Sequence, residues 1–295
     1  GFEVDAEVMD DDSLTYGDDD YSVWNYDQNS LYDTLPMYQA LAESKNTSAV
    51  WLLDKLGIQK GIAKLEDFGI SIGEADENLG AIALGGMSTG VSPVQLASAY
   101  TTFVNEGVRT EARFITKIVD ATGAVIVDNT KPKTNRVTTA AVAEEMTSML
   151  MGVYADGGTG ASAQPSNGMV IAGKTGTTEL DRETGYIKSQ WMVGYTPDLV
   201  VATWLGYDKT NEIYNLNNAG KTMANLYSAE MGALLSISPQ TEFAVAAAEE
   251  TYDSGIINGL KNGLDEFMND MGSFGQSLGE GSKKLFDWAN EAFGQ

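Results

Sequence analysis

The chain has 295 residues, 43% of them apolar, which is enough for one large core and a small appendage. It contains no cysteine and no histidine. Disulfide and thiolate chemistry, histidine-based triads and the commonest zinc ligand are therefore excluded, and acid–base work falls to lysine, carboxylate, serine or tyrosine. A net charge of −24 repels nucleic acid and anionic lipid surfaces, so neither is an expected partner.

The acid is uneven. Residues 1–20 hold nine acidic groups and no base, and residues 242–295 hold ten against three lysines. Both read as solvated ends. The runs Asp10–Asp12 and Asp18–Asp20 lack the ligand spacing and turn glycine of a calcium loop. No stretch approaches 18 apolar residues, and no signal peptide opens the chain. The acidic start at Gly1 suggests a piece of a longer protein.

Residues 1–35 have no clear period and read as loop or extended structure. Pro36 opens one helical pattern, with Leu41, Val50, Leu52, Leu53 and Leu56 on its apolar face and Gly57 as its cap. A short helix is expected over Gly61–Phe68. Ser92-Pro93 predicts a capped helix running to about Asn105–Gly107. The period then shortens. Phe114–Val119 and Val125–Asp128, joined by Ala121-Thr122-Gly123, read as a hairpin. Thr138–Tyr154 reads as a helix, and Gly157–Gly160 as a flexible loop. A strand from Met169 to Ala172 is expected to lead into Gly173-Lys174-Thr175-Gly176-Thr177. Trp191–Tyr195 and Leu199–Tyr207 form a second hairpin pattern, and Lys221–Leu235 a last helix. This order predicts an α/β protein of the α+β type, an antiparallel sheet flanked by helices, rather than alternating βαβ units. Past Ser238-Pro239 the composition shifts, giving domains at 1–238 and 239–295. Ile257, Leu260, Leu264, Phe267, Met271, Phe274 and Leu278 mark a heptad-type seam in the acidic, glycine-rich tail.

Two motifs carry chemistry: Ser44-Lys45-Asn46, and Lys174-Thr175-Gly176-Thr177. Each is weak alone. The first would pass as an ordinary polar helix start, the second as a strand end with a turn glycine. In this order they resemble the second and third motifs of serine penicillin-recognising enzymes, S-x-N and K-T-G. The run Leu84-Gly85-Gly86-Met87-Ser88-Thr89-Gly90-Val91-Ser92-Pro93, continuing through Leu96-Ala97-Ser98-Ala99-Tyr100, is similar to the bifunctional, class A penicillin-binding proteins. So are Gly194-Tyr195-Thr196-Pro197-Asp198 and Trp204-Leu205-Gly206-Tyr207-Asp208. The resemblance spans about residues 21–238. It implies the penicillin-recognising serine transferase fold, with a helical subdomain.

The resemblance also implies roles. Ser44 would relay a proton to the leaving amine, and Asn46 would hold the substrate amide. Lys174 would supply positive charge near Ser44 and the substrate carboxylate, kept protonated by the acidic chain around it. Thr175 and Thr177 would bond that carboxylate, Gly176 would admit the substrate backbone, and the Thr177 N–H would form half of an oxyanion hole. Ser162, Ser166 and Thr159 read as polar loop groups. Glu179, Asp181 and Arg182 read as solvated loop charges, Trp191 and Trp204 as core or sheet face, and Glu144-Glu145 as a solvated helix face. The implied activity is D,D-transpeptidation of peptidoglycan stem peptides ending in D-Ala-D-Ala, with acylation by β-lactams. No metal or organic cofactor is implied. Division or elongation proteins are candidate partners, and the implied location is extracytoplasmic, anchored by a segment outside this chain.

One element is missing. The family's S-x-x-K motif carries the nucleophile, and no serine here has lysine three residues on. The expected explanation is that this motif lies upstream of Gly1, in the same polypeptide or a separate chain, so that this chain alone is inactive; a natural loss is the other reading. The alternatives within enzymes are a D,D-carboxypeptidase or serine β-lactamase, which hand the acyl group to water. Outside enzymes, the alternative is a non-catalytic wall-peptide-binding or scaffold module.

Overall fold

The computed structural model describes residues 2–17, 20–27, 32–88, 90–181, 185–216 and 220–252. The expected seam from Ile257 to Leu278 and Arg182 lie outside the described residues. The N-terminal stretch read as loop or extended structure contains four short strands, β1 (Glu7–Asp10), β2 (Thr15–Tyr16), β3 (Tyr21–Ser22) and β4 (Asp33–Pro36). β1 pairs antiparallel with β4, and β2 with β3. Val8 and Leu35, opposite each other in the first pair, are buried with Ala40. Too few residues share a period there for alternation to show in the sequence.

The single helix expected from Pro36 to Leu56 is two: α1 (Met37–Ala42) and α2 (Asn46–Leu56). The chain turns between them at Glu43-Ser44-Lys45. α3 (Ile58–Asp67) begins three residues earlier than expected, and α4 (Leu79–Leu84) was not foreseen. α4 is capped by Asn78, whose side chain accepts from the Ala81 N–H, and closed by Gly85 in the left-handed region. α2, α3 and α4 pack together as a helical subdomain, with Leu53 of α2 and Ile82 of α4 meeting over Gly61. α5 (Pro93–Val104) opens as expected, with proline in the first turn and a reciprocal Ser92–Gln95 capping box.

A small sheet follows. β5 (Val108–Thr110) pairs with β8 (Thr134–Arg136), and between them β6 (Lys117–Val119) and β7 (Val125–Asp128) make the expected hairpin. α6 (Ala140–Gly152) is capped by Thr139. The main sheet is antiparallel, in the order β11 (Val200–Gly206), β10 (Tyr186–Tyr195), β9 (Ala172–Asp181). α7 (Gly220–Leu235) packs on it with α5 and α6, and α8 (Ala248–Tyr252) ends the described chain. Gly1–Glu249 form one compact unit.

The core lies between α5, α6, α7 and this sheet. Tyr154, Ile171, Tyr195, Tyr227, Met231 and Leu235 are almost wholly buried within it. Two tyrosine hydroxyls tie α6 and the turn after it to β10: Tyr154 Oη donates to the Val193 carbonyl, and Tyr195 Oη meets Thr147 Oγ1, both at 2.9 Å. Buried phenols need such partners, and these fix the Val193–Tyr195 end of β10. Gly173 and Gly194 face each other across β9 and β10. A Cβ on Gly173 would lie 1.9 Å from the Val193 carbonyl oxygen, so only glycine permits that pairing.

Candidate active site

Ser44 sits where α1 ends, and its backbone geometry explains the unexpected break. Its N–H donates to Leu41 O at 3.2 Å, and the Lys45 N–H donates to Ala40 O at 2.9 Å. That pair of bonds closes a helix in the Schellman manner, which requires a left-handed residue, usually glycine, at the first position beyond the cap. Ser44 fills it with φ of +59°. A side chain in that region costs about 1–2 kcal/mol. Strain of this kind clusters at functional sites, where surrounding structure enforces it.

The strain aims Ser44 at β9. Ser44 Oγ accepts a hydrogen bond from Lys174 Nζ at 2.7 Å, across 130 residues of sequence. Lys174 Nζ also donates to the carbonyl of Thr175 at 3.1 Å. No carboxylate lies within ion-pair distance of it among the described residues. The acidic chain was expected to keep this lysine charged. Instead, burial pushes it down from 10.5 to about 8: desolvation at the ammonium outweighs a diffuse field of distant, solvent-screened carboxylates. Lys174 is therefore mostly charged at neutral pH, yet close to releasing its proton.

The motif's placement also differs from expectation. Lys174–Thr177 lie inside β9, paired with Val193, Met192, Trp191 and Gln190 of β10. The strand begins only at Ala172, so the apolar run Met169–Ile171 precedes it. A Cβ on Gly176 would come 3.3 Å from Trp191 Cβ, a reason for glycine that lies on the partner strand. Trp191 and Trp204 pair across the sheet with ring centroids 6.4 Å apart. β9 is an outer strand, bonded to β10 on one side only among the described residues.

The structure thus brings Ser44, Lys174 and Thr175 together. Asn46 lies on the first turn of α2 and donates through Nδ2 to the Trp24 carbonyl at 3.1 Å. Gly176 and Thr177 follow along β9, and Thr177 is exposed. Among the described residues, no hydrogen bond links the Asn46 or Thr177 side chain to the Ser44–Lys174 pair. Glu144 and Glu145 are exposed.

Two groups near Ser44 have partners that the sequence did not reveal. Thr159, read as a loop polar group, has its Oγ1 2.7 Å from Thr175 Oγ1. Its N–H donates to the carbonyl of Ala42, at the end of α1. Asp10, read as part of a solvated acidic end, is wholly buried. Its Oδ1 accepts from Asn25 Nδ2 and from Thr47 Oγ1, each at 2.5 Å, and its Oδ2 accepts the Tyr32 N–H at 3.3 Å. Lys45, the middle residue of the first motif, is also buried. Its Nζ lies 3.8 Å from Asp10 Oδ2, 3.3 Å from Glu43 Oε2 and 4.8 Å over the Tyr32 ring. These groups pin both flanks of Ser44. No spacing rule could have found them, because their partners come from four separate segments.

Residues 2–229 match the family model of the penicillin binding protein transpeptidase domain. Penicillin-binding protein 2a of Streptococcus pneumoniae is 40% identical over 240 residues, which are 80% of this chain and 32% of that protein. Penicillin-binding protein 1F of Bacillus subtilis is 38% identical over 221 residues, 75% of this chain and 29% of that protein. The chain thus spans about a third of the length of these curated relatives. Among solved structures, penicillin-binding protein PonA1 of Mycobacterium tuberculosis superposes with a TM-score of 0.68 at 24% identity, covering 84% of this chain and 67% of that one. Penicillin-binding protein 1A of Haemophilus influenzae gives 0.64 at 21%, covering 83% and 41%. Both show the mixed helix and antiparallel-sheet fold. On the family model and these relatives, the chain belongs to the penicillin-binding protein transpeptidase domain family.

Proposed function

We propose that this chain is the larger part of the acyl-transfer domain of a peptidoglycan D,D-transpeptidase. The observation that carries the reading is the 2.7 Å contact between Lys174 Nζ and Ser44 Oγ beside Thr175, in a chain of this family. A peptide ending in D-Ala-D-Ala lies extended along the open edge of β9, the pairing mode that an unpartnered strand edge offers. Its terminal carboxylate meets the Thr175 and Thr177 hydroxyls, with Lys174 supplying positive charge. Asn46 holds the substrate amide, and the Thr177 N–H stabilises the developing oxyanion.

The nucleophile is the serine of an S-x-x-K motif carried outside residues 1–295. Its oxygen gives its proton to the lysine of that motif, attacks the penultimate carbonyl and forms an acyl-enzyme as the bond to the terminal D-alanine nitrogen breaks. Ser44 passes a proton to the departing D-alanine nitrogen, and Lys174, at about 8, restores the proton to Ser44 Oγ along the hydrogen bond it already makes. An acceptor amine from a second stem peptide then takes the acyl group. A β-lactam enters the same route and stalls at the acyl-enzyme; a solved relative, PonA1 of Mycobacterium tuberculosis, was determined in complex with penicillin V. The complete protein works outside the cytoplasmic membrane, held by an anchor beyond this chain. Among the described residues no helix is long and apolar enough to cross a membrane.

Intact-mass measurement of the full-length protein before and after excess benzylpenicillin tests this reading. One added penicilloyl mass on a serine outside residues 1–295 is expected. No adduct on the full-length protein would overturn the reading in favour of a non-catalytic wall-peptide-binding module. An adduct on residues 1–295 alone would overturn the placement of the nucleophile.

A further inference from the structure

We propose that Thr159 is a positioning residue for carboxylate recognition, acting through Thr175; this rests on the transpeptidase reading above. The two hydroxyl oxygens are 2.7 Å apart, a normal O–H···O distance, so one donates to the other. A hydroxyl has a single proton. If Thr175 spends its proton on Thr159, it offers only lone pairs to whatever lies along β9, and lone pairs repel a carboxylate. If Thr159 donates instead, the Thr175 proton is free to point at the anion. An arriving carboxylate selects the second arrangement, and a chain of two hydroxyl donors polarised toward a negative charge is stronger than either donor alone.

Thr159 is held for this task from both sides. Its N–H donates to Ala42 O at 3.1 Å, two residues before Ser44. The next residue, Gly160, donates to Val153 O at 2.8 Å. On the other side, a Cβ at Gly158 would lie 2.3 Å from the carbonyl oxygens of Gly152 and Val153, so the loop lies flat against the end of α6. One residue thus joins the end of the Ser44-bearing turn to the motif strand. Its hydroxyl reaches β9 from a loop that is set by backbone bonds and does not need that hydroxyl to keep its shape. Removing the hydroxyl therefore separates recognition from structure.

The test uses the full-length protein with Thr159→Val, which keeps size and β-branching but loses the hydroxyl, and Thr159→Ser, which keeps the hydroxyl. The readout is the second-order acylation rate by benzylpenicillin, whose carboxylate is free, and by its methyl ester, whose carboxylate is blocked. Thr159→Val is expected to slow acylation by the free acid about tenfold, the loss of one hydrogen bond to a charged group. It should leave the ester rate within about twofold, and Thr159→Ser should recover most of the free-acid rate. A wild type acylated by both ligands but a Thr159→Val variant that slows both equally, or neither, would overturn this inference alone. A wild type acylated by neither would overturn the transpeptidase reading, and this inference with it.

Discussion

Asp10→Ala is expected to cost about 3–4 kcal/mol of folding stability, despite lying in a stretch that reads as a solvated acidic end. Asp10 is fully buried, and removing it takes from the Lys45 ammonium, itself almost without solvent contact, the more deeply buried of its carboxylate partners Asp10 and Glu43. Breaking a buried pair from one side costs about 3–5 kcal/mol, because the survivor stays charged and desolvated. Glu43, 3.3 Å from Lys45 Nζ and one-quarter exposed, takes up part of that charge, which sets the ionic share at the low end. Asn25 Nδ2 loses its acceptor, adding about 1 kcal/mol. Thr47 Oγ1 turns to Asn25 Oδ1, already 3.1 Å away, and adds little. The assay is urea unfolding of the full-length protein followed by tryptophan fluorescence, for Asp10→Ala, Lys45→Met and the double variant. With a slope of about 3 kcal/mol per molar, the midpoint falls by about 1 M. The double variant should be more stable than the two single losses sum to, by at least about 1 kcal/mol, since no stranded charge remains. A loss below about 1 kcal/mol for Asp10→Ala, or additive single losses, would refute the argument that this pair is a buried clamp on the turn bearing Ser44.

Two further outcomes follow from the site. Ser44→Gly relieves a left-handed serine, so the melting temperature should hold or rise by a few degrees, while acylation by benzylpenicillin falls by two orders of magnitude or more for want of the proton relay; a large loss of stability would show that the turn is held by the side chain and not the backbone. The second concerns pH. Lys174 has a depressed pKa of about 8, so its charge is present below pH 8 and lost as pH rises through it. The free-acid acylation rate should therefore show an alkaline limb centred near 8, absent in Lys174→Arg, whose guanidinium stays charged but gives up no proton, so that its rate is low at every pH. A rate that is flat from pH 7 to 9.5 would contradict it.

Elements with strong local signals were legible in the sequence. Ser92-Pro93 announces α5 because cap and first-turn proline are adjacent, and the structure adds the reciprocal bond from Gln95. The β6–β7 and β10–β11 hairpins were legible because apolar runs flank short turns. The break at Ser44 was not. Apolar residues continue at helical spacing on both sides of it, and what stops the helix is a serine in a position that usually selects glycine. Local propensity runs against the fold at that point. Conflicts of this kind concentrate where function, and not stability, chose the residue.

The same division runs through the site. Ser44, Asn46 and Lys174–Thr177 were legible as motifs because they resemble, in this order, the S-x-N and K-T-G motifs of the penicillin-recognising family. Their environment was not, because it is assembled from distant chain segments. Composition counted Asp10 and Lys45 as two charges among many, but burial makes them one clamp. Composition also suggested a lysine held cationic by an acidic chain, whereas charges spread over the surface are screened and the desolvation of a single ammonium is not. A buried ammonium without a carboxylate would ordinarily be a defect. Here it lies against a hydroxyl that is itself held in a strained backbone, so the protein spends stability at two adjacent groups, one on the turn between α1 and α2 and one on β9. Both costs disappear if Ser44 becomes glycine and Lys174 becomes methionine, and a chain selected for stability alone would have made those changes. That neither has been made is the physical argument for the proton transfer proposed for this pair.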